Sequence, residues 1–493
     1  MKKLSSKEKY RLLTRDLDWE YSYEDKKEAF PYEEFEGLKI VDWDKWEDPF
    51  KLTMDTYWKY QAEKEKKLYA ILDAFAQNNS QLSVSDPRYL NAIKIFLTAI
   101  SPQEYQAGIG FAHAGRQLSG VGARVACQMQ AIDELRHVQT QIHAMSHYNK
   151  HFNGFSNFAD MQDRTWYLSV PVSFFHDART SGPFEFLLAV GFSFEYVLTN
   201  LLFVPFMSGA AHNSDMATVT FGFSAQSDEA RHMTLGLEVI KFLLEQHEDN
   251  VPIVQRILDK WFWRGTRLLT VVAMMMDYML PKKVMSWAEA WEVYYEEAGG
   301  ALFKDLARYG IKPPKYADLI EKEKQHVSHQ AWWTFYQYGH ATGFHTWIPT
   351  DEELDWLSEK YPETFDKYYR PRWEMAKKME AEGKRYFTSG LPQLCQVCQL
   401  PMIFTEMDNP TQTSYRQITY NEENYHFCSD GCKDIFEHEP EKYVQAWLPV
   451  NQVLQGNMGA DLADTVENYF KIPTGAGGDI NDSEDLKIWK ENS

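Results

Sequence analysis

The stretch that decides the fold is Asp133-Glu134-Leu135-Arg136-His137, because the same frame returns 95 residues later as Asp228-Glu229-Ala230-Arg231-His232. In each copy a carboxylate and an imidazole stand three residues apart. On a helix they leave one face about a turn apart and can grip a common cation. The aspartate ahead of each glutamate can accept the proton of a ligand histidine, fixing the tautomer that leaves the other ring nitrogen for metal. Two such copies suggest one metal site.

Glu-x-x-His alone is weak evidence, since Glu323 to His326 and Glu423 to His426 also match it. The first lies in a Lys/Glu-rich stretch that reads as solvated, with His326 and His329 as surface or interface histidines. What separates the two Asp-Glu-x-Arg-His copies is an upstream carboxylate for each: Glu104 lies 30 residues before Glu134, and Glu195 lies 34 before Glu229. The first midpoint is Ser119, beside Gly120-Val121-Gly122. The second is His212, between Gly209 and the N-cap region Asn213-Ser214-Asp215. Antiparallel hairpins hinged there put each carboxylate about 15 residues from its turn, roughly 22 Å at ~1.5 Å per residue. The carboxylates then face each other at one height. Four helices giving Glu, Glu-x-x-His, Glu and Glu-x-x-His form the ligand set of ferritin-like dinuclear carboxylate proteins.

Charge balance agrees. Residues Phe184 to Phe206 hold only two charges, Glu185 near the helix start and Glu195 in the apolar middle. An unpaired buried carboxylate is costly, whereas four glutamates (−4) and two divalent ions (+4) cancel. The expected metal ligands are Glu104, Glu134, His137, Glu195, Glu229 and His232. Asp133, Asp228, Arg136 and Arg231 are expected to surround them.

At 493 residues the chain can bury a large core, and its net charge of −20 argues against nucleic-acid binding or an anionic lipid surface. The N-terminal MKKLSSKEKYRLL lacks an apolar signal core, so a cytoplasmic protein is expected. Phe184 to Phe206 is long enough to span a bilayer, but its central glutamate favours a buried helix and no membrane partner.

Residues 1–60 carry many aromatics among acidic residues and read as an extended arm packed on this chain or on a partner. Residues 61–385 read as the helical body, with 149–181 rich in loop and Met274-Met275-Met276 as core filling. Ile100 and Ala107 share the face of Glu104. Thr199, a turn beyond Glu195, is either bonded back to its own helix or available to the metal site. In residues 386–450, Cys395, Cys398, Cys428 and Cys432 form two knuckles that read as a four-cysteine structural zinc site. Cys127 reads as a small core residue. The segment around Tyr425-His426-Phe427-Cys428 resembles treble-clef-like modules of the YHS type. The tail, 451–493, reads as exposed.

With these motifs in place the chain resembles, nearly end to end, the large subunit of bacterial multicomponent diiron monooxygenase hydroxylases. The cysteine knuckles bring it closest to the phenol hydroxylase branch, and Gln141, where methane-oxidising members carry cysteine, agrees. The resemblance implies a mainly α, ferritin-like diiron bundle with a small C-terminal zinc module. It implies an aromatic-substrate pocket at Ile100, Ala107, Phe175, Phe194 and Phe203, an active-site threonine at Thr199, and gating or docking roles for Asn200 and Gln226. It also implies hydroxylation of phenol and related arenes to catechols with O2. Electrons would come from NADH through a separate FAD and iron-sulfur reductase. The implied partners are beta and gamma subunits in a dimer of heterotrimers and a regulatory protein. A toluene or arene monooxygenase is the nearest alternative. An acyl-carrier desaturase fits the zinc module and aromatic arm poorly, and a ferritin-like storage protein is much shorter.

Overall fold

Apolar residues at helical spacing, interrupted at glycines and prolines, give this chain a body built largely of helices. The computed structural model describes residues 3–16, 23–48, 50–84, 86–155, 168–338, 345–384, 392–402, 405–406, 409–446 and 477–492, with Asp464 and Glu467. The helices that position the site are α1 (Met54–Gln77), α2 (Arg88–Gln117), α3 (Val121–Asn149), α4 (Ser169–Arg179), α5 (Pro183–His212), α6 (Met216–Gln246) and α7 (Asn250–Met274).

Both predicted breakers end helices. Between α2 and α3, the Ser119 amide donates to Glu33 Oε2 (2.6 Å), and a Cβ on Gly120 would strike the Trp43 ring. Between α5 and α6, Asp215 caps α6 by accepting from the Thr218 amide (3.1 Å). The helices on either side of each turn run antiparallel, and α5 packs on α6 and α7.

Within α5, Leu187–Leu198 is π-helical, which the sequence reading of an ordinary helix did not anticipate. Such wider turns are frequent at functional sites, and this one carries Glu195. Gly191 in the same segment crosses α6 at Gly236, where a Cβ would lie 2.2 Å from the Gly191 carbonyl oxygen. Pro183–His212 is long and apolar enough to cross a membrane, but 83% of its most apolar window is buried inside the fold. It is a core helix.

Several expectations need correction. Helix α1 starts at Met54, inside the segment expected to be an extended arm. Part of that arm packs on its own chain, with Trp43 stacked on Phe242 at 4.8 Å between centroids, while Tyr23 and Trp58 are exposed. Trp19 and Tyr21 lie outside the described residues. The stretch read as loop contains α4, eleven residues long. Glu323, His326 and His329 are buried rather than solvated: Glu323 pairs with Arg267, and His326 and His329 bond the hydroxyls of Tyr369 (2.8 Å) and Tyr278 (2.6 Å). The rings of Tyr361, Phe365 and Tyr369 that surround His329 lie on segments far away in sequence, so local composition could not reveal this.

The tail is not simply exposed either. Strand β1 (His345–Thr346) pairs in parallel with the chain's last strand, Gly478–Asp479, and Trp489 Nε1 donates to the Val84 carbonyl (2.9 Å). Residues 474–476, part of the glycine-rich tail, lie outside the described residues. The cysteine-rich segment forms two antiparallel pairs, β2 (Thr405–Glu406) with β3 (Asn409–Thr413) and β4 (Arg416–Tyr420) with β5 (Glu423–Phe427). A helix, α8 (Asp430–His438), follows, and the last strand is β6.

Gly236→Ala should lower stability by at least ~1 kcal/mol, since overpacking against a backbone atom outweighs alanine's helical advantage. Thermal unfolding checks this, and an unchanged midpoint would show that α5 and α6 can separate freely.

Candidate metal centre

The two hairpins bring all six expected ligands to one buried place. One donor atom each from Glu104, Glu134 and His137 lies within 4.8 Å of the others, and the same holds for Glu134, Glu195 and His232. His137 Nδ1 lies 3.5 Å from Glu104 Oε2, 3.5 Å from Glu134 Oε2 and 4.0 Å from Glu229 Oε1. His232 Nδ1 lies 3.3 Å from Glu134 Oε1 and 3.5 Å from Glu229 Oε2. Glu134 and Glu229 therefore reach towards both imidazoles, Glu104 belongs to the His137 side, and Glu195 to the His232 side.

The far nitrogens of the two rings are held crosswise. His137 Nε2 lies 3.2 Å from Asp228, and His232 Nε2 lies 3.4 Å from Asp133, so each motif's aspartate serves the other motif's histidine. Arg136 bonds Asp133 (3.0 Å) and Asp228 (3.4 Å), and Arg231 likewise bonds both. Helix α1 adds a polar stripe missed in the sequence reading. Tyr57 donates to Asp133 (2.7 Å), Gln61 bridges Asp133 (2.9 Å) and Asp228 (2.8 Å), and Lys64 pairs with Asp228 (2.6 Å). Their spacing, four and then three residues, was the available signal. Gln130 was also missed; its amide donates to Glu195 Oε2 (2.7 Å) and Glu134 Oε1 (3.3 Å). Gln141 accepts from Ser101 (2.8 Å) and donates to Glu104 (3.3 Å).

The donor set fits cations. His137 Nδ1, His232 Nδ1 and Glu229 Oε2 are buried without a hydrogen-bond partner, so the metal-facing side of each ring is bare while its opposite side is tied. Uncompensated, the cluster holds protons. Burial, together with Glu104, pushes the Glu134 carboxyl up to about 8, and burial with Glu134 and Glu229 pushes Glu195 well above its usual range. Burial opposes charge on His137 and His232 too, yet the surrounding carboxylates raise both rings well above theirs. Asp228 is held far below the usual range despite burial, by His137, Lys64 and Arg231.

Beside the cluster lies a cavity of about 90 Å³. Its wall includes Ile100, Ala107, Phe175, Phe194, Thr199 and Phe203, and it opens onto Glu104, Glu134, Glu195 and Glu229. The sequence reading missed a second wall: Leu268, Val271, Val272 and Met275, from α7 and its π-helical extension. Met275 therefore lines the cavity as well as filling core. Asn200 and Gln226 are half-buried and lie outside this lining.

A second cluster joins Cys395, Cys398, Cys428 and Cys432, all buried and none in a disulfide. Sulfur separations of 3.7 Å (Cys398 to Cys428) and 3.6 Å (Cys428 to Cys432) approach the about 3.8 Å of a tetrahedral zinc tetrathiolate. Trp263 of α7 donates its indole N–H to Cys432 Sγ (3.2 Å).

Residues 19–247 match the Methane/Phenol/Alkene Hydroxylase family, and residues 405–447 match the YHS domain. The chain is 71% identical to the phenol 2-monooxygenase oxygenase component DmpN of Pseudomonas sp. strain CF600, over 96% of this chain and 92% of that protein. This chain belongs to the methane/phenol/alkene hydroxylase family. The hydroxylase is also 28% identical to the alpha subunit of the alkene monooxygenase oxygenase component of Xanthobacter autotrophicus Py2, across 95% of this chain and 94% of the relative. The crystal structure of xenon-pressurized phenol hydroxylase from Pseudomonas sp. OX1 matches it with a TM-score of 0.97 and 70% identity, covering 99% of this chain and 100% of that one. The hydroxylase is accordingly an oxidoreductase of the diiron monooxygenase type.

The proton balance predicts how metal removal acts. Glu134, Glu195, His137 and His232 all have raised pKa values, so without iron these four groups bind more protons in the fold than in the unfolded chain. Their contribution to the stability of the iron-free fold should fall as pH rises from the ordinary carboxylate range through about 8. The depressed groups, Glu104, Asp133 and Asp228, contribute their pH dependence only in acid. The gap in thermal midpoint between iron-loaded and iron-free hydroxylase should therefore widen with pH across that window. A gap that stays constant would contradict the proton-holding role of the cluster.

Proposed function

We propose that this chain is the large oxygenase subunit of a phenol hydroxylase, converting phenol and close methyl derivatives to catechols. The observation that carries the reading is the opening of the carboxylate and imidazole cluster into a cavity faced by Phe175, Phe194 and Phe203. The high identity to a phenol 2-monooxygenase component supports the substrate class. The balanced reaction is phenol, O2, NADH and a proton giving catechol, water and NAD+.

Glu104, Glu134 and His137 would hold one iron, and Glu195, Glu229 and His232 the other. The iron pair supplies the redox chemistry by which O2 is reduced and one of its oxygens inserted. This chain's own residues do the rest. Asp228 and Asp133 keep a proton on Nε2 of His137 and His232, so that Nδ1 of each ring stays free to ligate. Gln130 fixes the Glu195 carboxylate. The phenylalanines and the α7 wall orient the ring and keep water out. Thr199, buried in the wall of the cavity that Glu195 also lines, is not needed as a ligand.

The four cysteines would bind one structural zinc, which agrees with their spacing and burial. Beta and gamma subunits in a dimer of heterotrimers, a regulatory protein and an NADH-using FAD and iron-sulfur reductase complete the proposed system. The names of the relatives as oxygenase components support that arrangement. Asn200 and Gln226, half-buried and outside the cavity lining, are proposed to act in gating or docking. A cytoplasmic location agrees with five unpaired cysteines.

With partner subunits, regulatory protein, reductase, NADH and labelled O2, the new catechol hydroxyl should carry the label; oxygen drawn from water would refute the mechanism. Glu195→Ala should reduce turnover to background and lower bound iron, whereas Thr199→Ala should keep both irons and change the coupling of NADH use to product. Cys398→Ser should lose zinc and thermal stability before it alters iron content. Loss of iron with zinc retained would mean that the two sites are wrongly assigned.

A further inference from the structure

Away from the buried cluster, α1 and α3 meet again near their C-terminal ends. There Asp73 of α1 faces His143 and His147 of α3, and one donor atom from each residue lies within 4.8 Å of the other two. His143 Nε2 is 2.8 Å and His147 Nε2 is 3.6 Å from the same oxygen, Asp73 Oδ1. The two histidines are four residues apart, so they leave one face of α3 one turn apart. Their rings sit 4.5 Å apart edge to face, and Tyr69 packs edge-on against His143 at 4.9 Å, which restrains the rotamer.

The geometry points to a third metal site, at Asp73, His143 and His147, that takes an exchangeable late first-row divalent cation such as zinc. Two imidazoles and a carboxylate are the ligand types such ions prefer, and they fill three of four tetrahedral positions, leaving one for water. Bonds of about 2.0–2.1 Å would place tetrahedral donors about 3.4 Å apart. The present separations of 2.8 and 3.6 Å straddle that value. The side chains are 50%, 30% and 17% exposed, so they can make the small adjustment and the cation can enter from solvent.

The location gives the site a consequence. Helix α1 braces Asp133 and Asp228 through Tyr57, Gln61 and Lys64, and Asp73 lies nine residues beyond Lys64, about two and a half turns further along it. A cation here clamps α1 to α3, which carries Glu134 and His137. Binding to the folded state alone must raise its stability.

The test uses the assembled hydroxylase, with its iron and cysteine-bound zinc in place, after a brief chelator wash to strip exchangeable metal. Equilibrium dialysis against zinc should give one further equivalent per chain and a higher thermal midpoint. Asp73→Ala should weaken that equivalent by at least the roughly tenfold that losing even an outer partner costs a metal site. His143→Ala combined with His147→Ala should abolish it, with iron content unchanged. Independently, one equivalent of copper(II) added to the unsubstituted enzyme should show electron paramagnetic coupling to two imidazole nitrogens. That spectrum decides the matter even if the double variant does not fold. No further zinc equivalent, an equivalent undiminished in the double variant, or a copper spectrum without imidazole coupling would each overturn the site.

Discussion

Four glutamates and two histidines share one place in the interior, all buried but the half-buried Glu104, and burying that much charge is the constraint every neighbouring element answers. Two divalent cations would cancel the four carboxylates, but the histidines also need partners on their outer edges. Asp133 and Asp228 supply them and are in turn neutralised by Arg136, Arg231 and Lys64. Because each aspartate reaches across to the other motif's histidine, neither hairpin can be oriented without its partner. The internal repeat is thus one electrostatic unit divided between two helix pairs, with Gln61 bonded to both aspartates.

Helix α7 ties the cysteine-rich module to the chemistry. Leu268, Val271 and Val272 wall the cavity, while Trp263 and Arg264, about a turn earlier, reach the Cys432 sulfur and the Val397 carbonyl. A Cβ on Gly431 would lie 2.2 Å from the Trp263 ring, so this contact leaves no slack. A module that contributes no residue to the described cavity lining can therefore still set where the cavity wall stands.

The sequence made the candidate ligands legible because the chemistry repeats: the same five-residue frame, twice, each with a carboxylate upstream across a visible breaker. The cysteine knuckles were legible for the same reason, since spacing alone groups them. Contacts made by residues far apart in the chain were not. Gln130, Gln61 and Lys64 look like ordinary polar residues until the helices pack. Leu268 to Val272 were indistinguishable from core. Glu323, His326 and His329 appeared solvated because their burial comes from Arg267, Tyr278, Tyr361 and Tyr369. The π-helical run around Glu195 left no mark in an almost uniformly apolar stretch.

The crossing of Gly191 and Gly236 has a counterpart in the other hairpin, where a Cβ on Gly108 would meet the Ala131 carbonyl and the Glu134 Cβ at 3.2 Å. Each of these glycines lies four residues from a candidate ligand: Gly108 from Glu104, Gly191 from Glu195 and Gly236 from His232. Main chain therefore rests directly on main chain, or nearly so, within about one turn of where the cations would sit. Spacing between the helices is then inherited from covalent geometry, with few intervening side chains to yield or be exchanged. Sequence drift elsewhere in the cavity can reshape what is admitted while leaving the separation between the metal-holding helices untouched.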